Sequence, residues 1–157
     1  MEKSVIKIYT DGSCHPQLLI GAWASILFIG RKKIVLKNFE TDTTHNRMEL
    51  LSVIKAVEYL NENKLADNII EVYSDSQYVV NLLIRKQKLK LKNFLTKKGT
   101  PIQNSDLVQK LIQQIEKHNI NFVKVKAHQK NGDIINKEVD KLVRQLVRKK
   151  VEERNGK

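Results

Sequence analysis

Ile6-Lys7-Ile8-Tyr9-Thr10-Asp11 and Ile70-Glu71-Val72-Tyr73-Ser74-Asp75 are one phrase written twice. Each run is β-branched and aromatic, so each reads as a buried strand, and each closes on an Asp where the strand gives way to a turn. Set side by side, every position meets a like partner except Lys7 against Glu71, and that opposed pair is the kind neighbouring strands favour. Parallel neighbours in this register carry Asp11 and Asp75 to one carboxyl edge, where open α/β sheets hold ligands. Two adjacent carboxylates repel, and one retains a proton unless a cation lies between them. Oxygen-only ligands point to Mg²⁺ or Mn²⁺ rather than zinc.

The chain around this pair suits one domain. Its 157 residues, 41% of them apolar, can bury a core and exclude a disordered chain. A net charge of +12 calls for a polyanionic partner, nucleic acid before an anionic membrane surface. The single cysteine, Cys14, excludes an intrachain disulfide and a multi-cysteine metal site. Met-Glu-Lys-Ser-Val carries no secretion signal, and the apolar stretch Leu18–Ile29 is too short to span a bilayer, so a cytoplasmic location is expected.

The element pattern follows the chain. A strand over Val5–Thr10 precedes a second over 22–30, a break at Gly30-Arg31-Lys32-Lys33 and a third from Ile34 to Phe39, making an antiparallel meander. Thr43-Thr44-His45-Asn46 offers capping chemistry for a helix to about Glu62, with Leu50, Ile54, Val57 and Leu60 at helical spacing. The strand at 69–74 then returns parallel to the first. A helix starts at Ser76, and residues 85–98 carry seven Lys or Arg and no acid. Ser105 caps another helix, Ile120–Val125 is a fifth strand, and a last helix starts at about Asn136, beyond a polar loop.

Four acids stand at element ends: Asp11, Glu49, Asp75 and Asp140. Singly, each has a structural explanation. Asp11 precedes Gly12 in a turn, Glu49 can close a capping box with Asn46, Asp75 can cap a helix, and Asp140 can pair with Arg144. Together they suit a two-metal phosphoryl-transfer site.

Tyr9-Thr-Asp-Gly-Ser-Cys14, Thr43-Thr-His-Asn-Arg-Met-Glu-Leu50, Ser74-Asp-Ser-Gln-Tyr-Val79 and Asn136-Lys-Glu-Val-Asp140 resemble, in order and spacing, the active-site segments of type 1 ribonuclease H. Val125-Lys-Ala-His128 resembles that family's histidine loop. The resemblance implies an α/β fold with a five-stranded mixed sheet, order 3-2-1-4-5, flanked by helices, in a single catalytic domain over 1–157. It implies hydrolysis of the RNA strand of RNA–DNA hybrids with two Mg²⁺ ions (Mn²⁺ a possible substitute), leaving 3′-hydroxyl and 5′-phosphate ends. Asp11, Glu49, Asp75 and Asp140 become metal ligands. His128 would assist proton transfer or product release.

By the same resemblance Cys14, Thr44, His45, Asn46 and Gln77 would meet the minor groove, where 2′-hydroxyls distinguish a hybrid from duplex DNA. Residues of about 85–100 would form a basic protrusion gripping the DNA strand, with Arg85, Lys86, Lys88, Lys90 and Lys92 on phosphates. A basic C-terminal helix or tail covers about 148–157. His15-Pro-Gln-Leu-Leu-Ile20 departs from the Gly/Pro/Asn-rich loop usual there. The expected partner is the hybrid, with no membrane, and the protein a monomer. Two other classes share the fold: a non-catalytic nucleic-acid-binding module, and a polynucleotidyl transferase core, which generally uses three acids and leaves the protrusion without a role.

Overall fold

A computed structural model describes residues 4–125 and 134–156. Strands β1 (Val5–Cys14), β2 (Gly21–Ile29), β3 (Lys32–Glu40), β4 (Ile69–Ser74) and β5 (Ile120–Lys124) form one sheet in the order β3-β2-β1-β4-β5. The echoed phrases are its centre. β1 and β4 are parallel, with Ile6 opposite Ile70, Lys7 opposite Glu71, Ile8 opposite Val72 and Tyr9 opposite Tyr73. The two tyrosine rings stack at 4.6 Å.

β1 runs further than its apolar run suggests. Past Tyr9 it parts from β4 but stays antiparallel to β2, with Asp11 opposite Ala24, Gly12 opposite Trp23 and Cys14 opposite Gly21. Asp11 is therefore a strand residue, and Asp11-Gly12 is no turn. The β2–β3 hairpin turns on Gly30 at φ 59, leaving Lys32 opposite Ile29.

Among the described residues five helices cover the sheet: α1 (His45–Glu62), α2 (Gln77–Ile84), α3 (Lys86–Leu91), α4 (Ser105–Lys117) and α5 (Ile134–Asn155). Alternation along β1 sends Ile6 and Ile8 to one face, where they pack with Leu50, Ile54 and Val57 of α1 and Val108 and Leu111 of α4. Tyr9, Ala22, Ala24 and Ile26 face the other side, under Val139 and Val143 of α5. The sole tryptophan, Trp23, is 6% exposed.

Local chemistry sets the helix starts. Thr44 Oγ1 accepts the Arg47 N–H at 3.2 Å, and Ser76 Oγ accepts the Val79 N–H at 3.2 Å. At α4 the cap position belongs to Asn104, in a left-handed conformation at φ 59 and without a side-chain cap bond, while Ser105 is the first helical residue. Arg47 explains the shift: its guanidinium bridges Asp106 at 3.0 and 2.9 Å and reaches Asn104 Oδ1 at 3.3 Å, tying α4 to the start of α1. The last helix begins two residues earlier than expected, at Ile134.

The basic segment is one short helix and a turn. Leu89 is 4% exposed and Phe94 packs against the core, anchoring the segment, while Arg85, Lys88, Lys90 and Lys92 are exposed and Lys86 is half-buried. Thr96 and Thr100 close the return through a 2.7 Å backbone hydrogen bond.

Candidate active site

The strand that carries Asp11 and the helix that carries Glu49 touch at a residue without a side chain. A Cβ on Gly12 would lie 2.4 Å from Glu49 N and 2.4 Å from the Met48 carbonyl carbon, both backbone atoms of α1. The absence of that Cβ lets the first turn of α1 sit directly on β1, which sets Glu49 beside Asp11. Gly12→Ala should destabilise the fold by about 3 kcal/mol or more, because neither backbone can yield without moving its element. Thermal melts of the variant check this, and an unchanged Tm would refute the close approach.

Asp75 follows β4 directly, and Asp140 comes from the second turn of α5. One oxygen each of Asp11, Glu49 and Asp75 lies within 4.8 Å of the other two. Asp140 stands outside that triad but adds its charge to the repulsion on Asp11 and lines the same groove of about 370 Å³. Its side chain also holds Arg144 at 2.8 Å, so the ion pair expected one turn on is present within the site.

The electrostatics are those of a site short of positive charge. Burial, with Glu49, Asp75 and Asp140 adding repulsion, pushes the Asp11 carboxyl up to about 9. Burial raises Glu49 as well, opposed by the hydrogen bond from His45, and burial followed by Asp140 raises Asp75. His45 Nε2 lies 3.1 Å from Glu49 Oε1, and that bond raises the imidazole pKa. Glu49 Oε2 is buried and has no hydrogen-bond partner among the described residues. An orphaned carboxylate oxygen beside two crowded carboxylates is a donor set for a hard divalent cation, and a divalent metal fits these residues.

Around the acids, His45, Asn46 and Gln77 line the groove. Cys14 and Thr44 are not among its lining residues. Cys14 Sγ donates to the Thr43 carbonyl at 3.5 Å, and the Thr44 hydroxyl is engaged as the α1 cap. Ser13, Tyr78 and Arg144 also line the groove and were not singled out as site residues in the sequence. Arg144 has a visible signal, its position four residues after Asp140, and Ser13 and Tyr78 lie within the segments Tyr9–Cys14 and Ser74–Val79 that carry the resemblance.

Of the basic residues, Lys90 is engaged with Glu116 of α4 at 2.6 Å, where the charge of Lys86 also acts, and Arg85, Lys88 and Lys92 have no ion-pair partner among the described residues. His128 lies outside the described residues.

Comparisons with known proteins agree with this arrangement. The ribonuclease H family model matches residues 3–148. A ribonuclease H of Caldicellulosiruptor saccharolyticus is 36% identical over 145 residues, covering 91% of this chain and 96% of that protein. Those of Clostridium botulinum and Prosthecochloris aestuarii are 38% and 37% identical over 150 residues each, covering 92% and 94% of this chain and 96% and 98% of theirs. The crystal structure of LC9-RNase H1 superposes with a TM-score of 0.79 at 23% identity, covering 94% of this chain and 74% of that one, which shows the common fold. With the sheet order, the carboxylate cluster and these relatives in agreement, the chain belongs to the ribonuclease H family of hydrolases.

Proposed function

We propose that the protein cleaves the RNA strand of RNA–DNA hybrids with two divalent metal ions, Mg²⁺ with Mn²⁺ as a possible substitute, leaving 3′-hydroxyl and 5′-phosphate ends. One observation carries this reading: three carboxylates from β1, α1 and the end of β4 converge within 4.8 Å, although their charges oppose it. Bound divalent ions supply the chemistry, a lowered pKa for the attacking water and charge for the leaving oxygen.

The chain's own residues hold and orient. Asp11, Glu49 and Asp75 are the ligands the cluster supports, and Asp140, fixed by Arg144, completes the set. His45 occupies one oxygen of Glu49 and leaves the other free to ligate. His45, Asn46 and Gln77 face the same groove, so a strand in it passes polar side chains able to bond 2′-hydroxyls. Cys14 and Thr44, whose side chains bond Thr43 and Arg47, support the groove wall and do not line it. Arg85, Lys86, Lys88, Lys90 and Lys92 give affinity without sequence reading, with Lys90 sharing its charge with Glu116. His128 serves proton transfer or product release.

One labelled RNA strand, annealed in turn to DNA, to RNA and to nothing, tests the reading. Cleavage confined to the hybrid and dependent on Mg²⁺ or Mn²⁺ is expected. Binding without cleavage under either ion would make the protein a binding module, and cleavage of duplex DNA would make it a transferase-type nuclease.

A further inference from the structure

The basic protrusion stands on the α1/α4 side of the sheet, and α5 covers the other side, yet α5 is also strongly basic. Its charges are ordered. Lys137, Lys141, Arg144 and Arg148 fall at i, i+4, i+7 and i+11, one face of a helix, and all four are exposed. At about 1.5 Å per residue they make a stripe about 16 Å long. Val139 and Val143, which anchor α5 to the sheet, are buried on the opposite face.

The acids of α5 do not cancel this stripe. Glu138 is held by Lys33 at 2.7 Å and Glu153 by Lys150 at 3.3 Å, while Asp140 takes Arg144. Glu152 lies one turn past the end of the stripe. Lys137, Lys141 and Arg148 have no acid partner among the described residues. The helix is also pinned at its far end, where Lys150 sits 4.2 Å over the Phe39 ring and Arg154 donates to the Leu18 carbonyl at 3.4 Å. Three uncompensated cations therefore stand at fixed positions. The stripe is not remote from the site, because Arg144, at its middle, lines the carboxylate groove.

We propose that Lys137, Lys141 and Arg148 form a second phosphate-binding track, which takes the sugar–phosphate backbone of the duplex cut at the carboxylate site. It meets that duplex from the side opposite the basic protrusion. This rests on the hybrid-cleaving function proposed above. A duplex lying across the sheet edge meets positive charge on both sides of the carboxylates, and that charge holds a polyanion against a site that repels it. Phosphate contacts of this kind release counterions, so they set affinity and its salt dependence while leaving the chemical step alone.

The test is binding without turnover. An RNA–DNA hybrid is titrated in EDTA at several salt concentrations against wild type and against the triple variant Lys137→Gln, Lys141→Gln, Arg148→Gln. A charge-matched control carries Lys55→Gln, Lys64→Gln and Lys117→Gln, positions outside α5 and outside the basic protrusion. The stripe variant should bind at least tenfold more weakly at low salt, and its log–log salt slope should be shallower by about 2–3, close to one per lost contact. The control should stay near wild type. With metal restored, KM should rise and kcat at saturation should hold. A stripe variant that matches the control in slope and affinity would overturn the proposal. So would loss of binding to anionic lipid vesicles with the hybrid slope unchanged, which would make the stripe a membrane-facing surface. A wild-type protein that cuts no hybrid would instead refute the proposed function, since the slope is read without catalysis.

Discussion

Asp75→Asn will abolish cleavage of an RNA–DNA hybrid, by about 10³-fold or more, while the protein binds the hybrid as tightly as wild type or more tightly. The expectation follows from where Asp75 stands. Its carboxylate is one of three whose oxygens lie within 4.8 Å, and it is the least buried of them. Asn keeps the shape and loses the charge that ligates a hard cation. A ligand lost from a metal-dependent site removes several kcal/mol of transition-state stabilisation, and about 4 kcal/mol is 10³ in rate. The groove residues His45, Asn46 and Gln77 are untouched, and one negative charge fewer faces the incoming polyanion. Single-turnover rates and equilibrium binding, measured on the same hybrid, separate the two effects. Undiminished turnover would remove Asp75 from the metal set.

The second large effect concerns stability. In metal-free buffer at pH 8, Asp11→Asn should melt several degrees above wild type, because it removes a charge that the folded protein holds at a penalty. The sign comes from the raised pKa. The unfolded chain releases this proton near the ordinary value of 3.8, and the folded protein releases it at about 9. Between those values the folded form binds more protons than the unfolded one, so stability falls as pH rises. Below the lower value the penalty is absent, and above the upper one it is complete and constant. Melting wild type and variant in EDTA from pH 5 to 9 should give a declining curve for wild type and a flatter one for the variant. Mg²⁺ should then raise the Tm of wild type more than that of Asp11→Asn. A variant that melts below wild type throughout would show that Asp11 is satisfied without a cation.

Much of this was legible because it is written in local pattern. The echo of residues 6–11 in 70–75 specified which strands pair and in what register, and Lys7 does stand opposite Glu71. Residues 22–30 alternate as a strand does, and the two cores divide accordingly, with Ala22, Ala24 and Ile26 on one side and Leu27 on the other. What escaped depends on partners far away in the chain. Gly12 reads as a turn, yet β2 holds it in a strand and α1 requires its missing Cβ. Asn104 displaces Ser105 as the α4 cap because Arg47, 57 residues earlier, reaches it. Lys90 looks like its basic neighbours until α4 brings Glu116 to it across 26 residues. The four acids themselves were visible, each with an innocent local role; only their convergence on one edge distinguishes the site.

That convergence has a consequence for how the protein is made. Glu49 belongs to the layer built by α1 and α4, and Asp140 arrives with α5 on the opposite layer. A chain emerging from its N-terminus therefore exposes the sheet, the protrusion and three of the four carboxylates before α5 is synthesised. Until then the face formed by Tyr9, Ala22, Ala24 and Ile26 has no cover, and the groove lacks one wall. Among the described elements α5 therefore has two tasks at once: it seals the second layer and brings the fourth carboxylate to the groove.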